Sequence, residues 1–251
     1  MCVDQSSLLR LRHCDQVGSD VSLDQPVVVL GGFLITAEAY APLAEWIASR
    51  TGATVRVVPV SRLDWLATSW GFGWARLLDR VDAAVQELQA RSASSRVTLI
   101  GHSSGGVMLR PYLSDESFCG RRYGGAARCN RLITLGSPHQ AIRATPLRAL
   151  VDRRFPGCPH ADSVDYVAVA GRLDLQGAMA SGFSRRSAAR SYRQISGDPS
   201  VDGDGLVPVS SALLRDARPV VLENTAHGGL FGRSWYGSVD RIPAWWTVLE
   251  T

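Results

Sequence analysis

Short apolar, β-branched runs alternate along this chain with stretches in which apolar residues recur every three or four positions. Pro26–Leu30 (PVVVL), Thr54–Val60 (TVRVVPV), Arg96–Ile100 (RVTLI), Arg131–Leu135 (RLITL), Val164–Ala170 and Val220–Glu223 read as strands. Between them, Tyr40, Leu43, Ala44 and Ile47 recur at helical spacing, with Pro42 in the first turn and Gly52 past the end. Trp74, Leu77, Leu78, Val81, Val85 and Leu88 make the clearest helical stripe. Another helix is expected after Gly101–Gly105, kinked where Pro111 removes the bond back to the Val107 carbonyl. Val239, Ile242, Trp246 and Leu249 predict a closing helix. Ser61–Phe72 reads as a Trp-rich loop, and Ala141–Ser163 and Gly171–Arg190 as Arg-rich excursions. Tyr192–Ile195 reads as a strand leading into the acidic turn Asp202-Gly203-Asp204-Gly205. Strands that alternate with helices imply an α/β protein, its parallel sheet covered on both faces.

The chemistry centres on Gly101-His102-Ser103-Ser104-Gly105, a G-x-S-x-G placed between a buried strand and a helix. In that setting the serine sits on a strained turn that lifts its hydroxyl above the sheet, and glycines let strand and helix crowd together. The helix N-terminus then aims backbone N–H groups at developing negative charge. A hydrolytic serine needs a base and an acid that orients it, here in the order Ser, acid, His. His227, in T-A-H-G-G-L after the last strand, is the expected base. Asp204 leads as the acid, with Asp202 and Asp174 as alternatives. His102 and His139 read as structural, and His13 and His160 lie in loops. The oxyanion hole is expected from the N–H of Ser104 and from that of Phe33 or Leu34, in a loop that Gly31 and Gly32 keep thin. Leu34, Trp65, Trp70 and Phe72 are the candidate walls of a substrate pocket; Trp74 clusters with them but also falls on the helical stripe, which suits core packing as well.

Composition narrows the field further. The 251 residues, 45% hydrophobic, suffice for one globular domain, expected over 26–251 behind an N-terminal extension, 1–25. The net charge is +4, every basic residue is Arg, and no dense basic run interleaves with aromatics, which argues against nucleic acid as a partner. No apolar run is long enough to span a membrane and no secretory segment is evident, so a cytoplasmic protein is expected. Five cysteines without metal-type spacing read as free thiols, with no metal and no cofactor; an oxidising compartment alone would bridge Cys119 to Cys129. The excursions 141–163 and 171–190 are placed to form a small lid, and their arginines suit transient contact with an anionic membrane surface.

From Pro26 onward the chain resembles the lipase-like α/β-hydrolase superfamily, in particular its poorly characterised members from cyanobacteria and plant plastids. V-V-L-G-G-F resembles the family's strand and oxyanion loop, with Gly31-Gly32 where His-Gly is usual. G-H-S-S-G-G resembles its elbow, L-I-T-L-G-S-P-H is similar to a stretch of bacterial lipases, and D-G-L-V-P resembles the acid turn, which favours Asp204 over Asp202. The resemblance implies an α/β-hydrolase fold that lacks the first strands of the full fold. It also implies a serine carboxylic-ester hydrolase acting through an acyl-enzyme on a lipophilic ester. A thioesterase or acyltransferase would use the same residues, and a catalytically silent binding protein is the alternative of another class.

Overall fold

The computed structural model describes residues 25–175, 177 and 181–249; the expected extension, Gln25 apart, lies outside them. Six strands form one sheet: β1 (Val27–Leu30), β2 (Val55–Val57), β3 (Val97–His102), β4 (Cys129–Leu135), β5 (Asp165–Arg172) and β6 (Arg218–Glu223). Their order is β2-β1-β3-β4-β5-β6 and every pairing is parallel. This is an α/β-hydrolase sheet without the first strands of the full fold. β3 and β4 are buried along their whole length, which is why they read as continuous apolar runs.

Alternation within the strands feeds two separate cores. Val28, Leu30, Leu99 and Leu132 face one layer, where α3 (Gly71–Arg91) lays down the stripe from Trp74 to Leu88, joined by α4 (Ser104–Leu113). Val27, Val29, Ile100 and Ile133 face the other, packed by α1 (Ala41–Thr51) and α8 (Ile242–Trp246). Each fully buried Leu or Val on these faces contributes about 1.5–3 kcal/mol. Gly52, at φ 74°, ends α1 in the left-handed conformation that glycine adopts most readily.

Three stretches differ from the sequence reading. Residues expected as a Trp-rich loop contain α2 (Arg62–Ala67), opened by a reciprocal cap in which Ser61 and Asp64 each take the other's backbone N–H. The first excursion contains α5 (Pro146–Arg154), capped by Thr145. Tyr192–Ile195 belongs not to a strand but to α6 (Gly182–Ser196), which starts inside the second excursion. Among the described side chains of α6, only Ala188 and Tyr192 are fully buried, so its apolar period is faint. The acidic turn is then followed by α7 (Val209–Ala212). Pro111 lies in the last turn of α4, which runs on to Leu113. Val239 is exposed and precedes the closing helix.

The chain builds β1 and β2 outward in one direction and β3 to β6 in the other. The loops that leave β1 and β3 therefore diverge at the carboxyl edge of the sheet, where open α/β sheets form their binding crevice. No described helix is long and apolar enough to cross a membrane.

Candidate active site

Ser103 caps α4 directly after β3, at φ 52° and ψ −123°. A non-glycine residue with positive φ is uncommon, and this one is held by crowding on both sides. A Cβ on Gly105 would stand 2.4 Å from the Leu30 and Gly31 carbonyl oxygens, and one on Gly101 would stand 2.4 Å from the Gly106 Cα. Strand, turn and helix thus meet backbone to backbone.

The fold brings Ser103, His227 and Asp204 together. Ser103 Oγ lies 2.9 Å from His227 Nε2, and His227 Nδ1 lies 2.8 Å from Asp204 Oδ2. A carboxylate only accepts, so Nδ1 carries the proton and Nε2 is free to accept the serine hydroxyl. The Asp204 carboxylate has no exposed surface and accepts four hydrogen bonds. Oδ1 takes the N–H groups of Leu206, at 3.0 Å, and Val207, at 2.7 Å; Oδ2 takes His227 and the Tyr236 hydroxyl, at 2.8 Å. The Asp204 carbonyl also accepts the His227 N–H at 2.8 Å, which ties the two loops by their backbones. The alternative acids stand apart: Asp202 is exposed and pairs with Arg172 at 3.1 Å, and Asp174 accepts the Gly177 N–H within its own turn.

Two further residues complete the scaffold; the sequence pattern placed Tyr40 on a helical stripe and gave neither it nor Tyr236 a role here. Tyr236, fully buried, accepts the Gly171 N–H at 2.6 Å and donates to Asp204; burial, followed by the Asp204 charge, raises its phenol pKa well above the usual value. Tyr40 accepts the Gly32 N–H at 2.8 Å and donates to His102 Nδ1 at 2.7 Å. His102 Nε2–H then donates to the His227 carbonyl at 2.8 Å. Burial, followed by the neighbouring His227, pushes the His102 pKa well below its usual value, so this ring is a neutral strut between the β1 loop and the His227 loop. His139 is buried too and reaches Thr134 Oγ1 at 3.1 Å. His160 occupies a turn, and His13 lies outside the described residues.

The Gly32 N–H is taken by Tyr40, which leaves Phe33 and Ser104, both bordering the cavity beside Ser103, as the candidate oxyanion donors. Leu34 has a positive φ of 62°. A cavity of about 370 Å³ opens beside Ser103, bounded by Phe33, Trp65, Trp74, Met108 and, on α6, Ile195. Of the four aromatic and aliphatic residues expected to wall it, only Trp65 does so. Leu34, Trp70 and Phe72 are exposed and outside it; Trp70 and Phe72 stack on each other, ring centres 6.0 Å apart, at the start of α3. Trp74, which the sequence left open as pocket wall or core, does both: it packs into the core and borders the cavity, its indole N–H held by the Thr68 carbonyl at 2.9 Å. Cys119 and Cys129 are free thiols, and burial pushes that of Cys129 up to about 12.

Known proteins resemble this arrangement at the level of fold. The mature lipase BlEst2 of Bacillus licheniformis superposes with a TM-score of 0.60 over 95% of this chain and 94% of its own, at 15% identity. The lin2722 product of Listeria innocua gives 0.52 over 91% and 94%, at 14% identity. No curated protein matches the chain. A family model described as palmitoyl protein thioesterase matches residues 26–184, from β1 past the elbow and the first arginine-rich excursion into the second, at the start of α6. That match spans more than half of the sequence, and the chain belongs to the palmitoyl protein thioesterase family.

Proposed function

We propose that this ester-acting hydrolase is a serine enzyme that cleaves acyl esters and thioesters through an acyl-enzyme. Ser103 is the nucleophile, His227 the general base and acid, and Asp204 the group that orients His227. The observation that carries this reading is the unbroken line Ser103 Oγ–His227 Nε2 at 2.9 Å and His227 Nδ1–Asp204 at 2.8 Å, on a serine held at positive φ. In this mechanism His227 accepts the serine proton as Oγ attacks the acyl carbonyl. The N–H groups of Phe33 and Ser104 receive the oxyanion, and His227 returns the proton to the leaving alcohol or thiol. Water then repeats the sequence and frees the acid.

The family match favours a thioester, and the largely apolar cavity suits an acyl chain. A binding protein without catalysis would have no use for a strained serine with its base already in line. Fluorophosphonate labelling that is lost in Ser103→Ala, with hydrolysis of butyryl oxygen-ester and thioester probes, tests the reading. Labelling and turnover that persist in Ser103→Ala overturn it.

A further inference from the structure

Arg148 is the third residue of α5, where the helix dipole disfavours positive charge. Its side chain borders the cavity beside Ser103 and also a smaller one of about 160 Å³ behind it. One terminal nitrogen donates to the Pro138 carbonyl at 2.8 Å. Nε is fully buried and has no partner. Among the described residues no acid pairs with Arg148; Asp152, one turn on, lies instead 3.8 Å from Arg110. Burial lowers the pKa of the guanidinium, which still remains charged. A cation at the wrong helix end, desolvated and half satisfied, is costly unless something else completes it. The cavity is lined by a second arginine, the exposed Arg143, and by no Asp or Glu.

We propose that the substrate carries, in its acyl or its leaving part, an anionic group (a carboxylate or a phosphate) that the cavity-lining guanidinium of Arg148 receives. The proposal rests on the hydrolytic reading of Ser103 for the placement of the ester. It predicts a specificity that an apolar acyl pocket alone would not have. A charge-assisted, partly buried guanidinium contact should favour the anionic member of a matched pair by about 30-fold.

Binding to the Ser103→Ala protein, followed by calorimetry, tests this apart from turnover. One arm compares glutaric acid monoanilide with its methyl ester, which places a carboxylate in the acyl part. The other compares S-butyryl-phosphopantetheine with S-butyryl-pantetheine, which places a phosphate in the leaving part. The anionic member should bind at least about tenfold tighter in one arm, and that arm names the source of the charge. Combining Ser103→Ala with Arg148→Gln should abolish the preference, and Arg148→Lys should keep part of it, since it restores charge but not the fork. Should Arg148→Gln fail to fold, Arg143→Gln serves as the exposed variant and should weaken the same preference. Equal affinity in both arms, or a preference untouched by Arg148→Gln, overturns the proposal. Ser103-dependent turnover of neutral esters without any anionic preference leaves the hydrolytic reading standing and this one refuted.

Discussion

Replacing Asp204 by Asn changes one atom, and the surroundings decide where that atom goes. The backbone N–H groups of Leu206 and Val207 both point at Oδ1, so the amide oxygen must remain there. The amide nitrogen then takes the place of Oδ2, facing two former donors, His227 Nδ1–H and the Tyr236 hydroxyl. The tyrosine can rotate its proton; the imidazole can relieve the clash only by moving its own proton to Nε2. Nε2–H would then point at Ser103 Oγ, and a ring in that tautomer cannot accept the serine proton. Loss of the correct tautomer lowers turnover by about 10⁴ in triads of this kind. Turnover of p-nitrophenyl butyrate is the assay, with thermal unfolding to confirm the fold. Asp202→Asn, at an exposed carboxylate paired with Arg172, is the matched control and should change turnover less than about threefold. An Asp204→Asn enzyme that retained a tenth of the wild-type rate would refute the tautomer argument, and a crippled Asp202→Asn would move the acid to the neighbouring carboxylate.

Other outcomes follow from the same geometry. Tyr236→Phe removes a donor to a buried carboxylate and leaves the Gly171 N–H unpaired, so it should cost about 3 kcal/mol in urea unfolding while turnover falls less than about tenfold; an unchanged midpoint would contradict this. Gly105→Ala drives a Cβ into two backbone carbonyls and should destabilise by about 3 kcal/mol or more, whereas Gly182→Ala, with open space around it, should stay within about 0.5 kcal/mol. Stability should also fall in mild acid. His102 and His139 have folded pKa values well below the usual one, first through burial, then through His227 for His102 and through Arg110 and Arg148 for His139. Below about pH 6.5 the unfolded chain therefore binds protons that the folded chain refuses, and stability should decline steadily between pH 6 and 5. Urea midpoints that hold steady across that interval would show that these rings protonate in place.

What could be read from the sequence was local. The elbow is written in five consecutive residues because a strand, a sharp turn and a helix must meet without side chains in the way, and Gly101, Ser103 and Gly105 satisfy that by themselves. A parallel sheet covered on both faces was legible because apolar strands alternate with helices, and successive residues of β1, β3 and β4 feed its two cores; the strand order was not. The scaffold around the candidate site was not legible in the same way. Tyr40 meets His102 across 62 positions and Tyr236 meets Asp204 across 32, and no periodicity links residues so far apart. Clustering of Trp65, Trp70 and Phe72 signalled apolar area but not direction: one turned into the cavity and two turned out. α6 escaped notice because a wall that faces a cavity on one side and water on the other needs few large apolar residues; Ser191 and Gln194, polar as they are, line that cavity.

Glycine-bearing stretches are ordinarily the most pliable parts of a chain, yet three of them here, two loops and the end of β5, are moored to aromatic posts. Gly32, Gly171 and Gly205 each give their amide hydrogen to a tyrosine hydroxyl, of Tyr40, Tyr236 and Tyr192 respectively. All three rings are rooted in the interior. Freeing any of these amides means unseating a whole buried ring, so these segments cannot breathe by themselves; they open only when a large cooperative unit opens. In deuterated water the three amides should persist with the core strands, although two of them sit in turns. The segment after His227 is built otherwise. Gly228 and Gly229 have open space around their Cα atoms, and exposed Leu230 follows. Rapid deuteration there would mark this short stretch as the compliant side of an otherwise stiff rim.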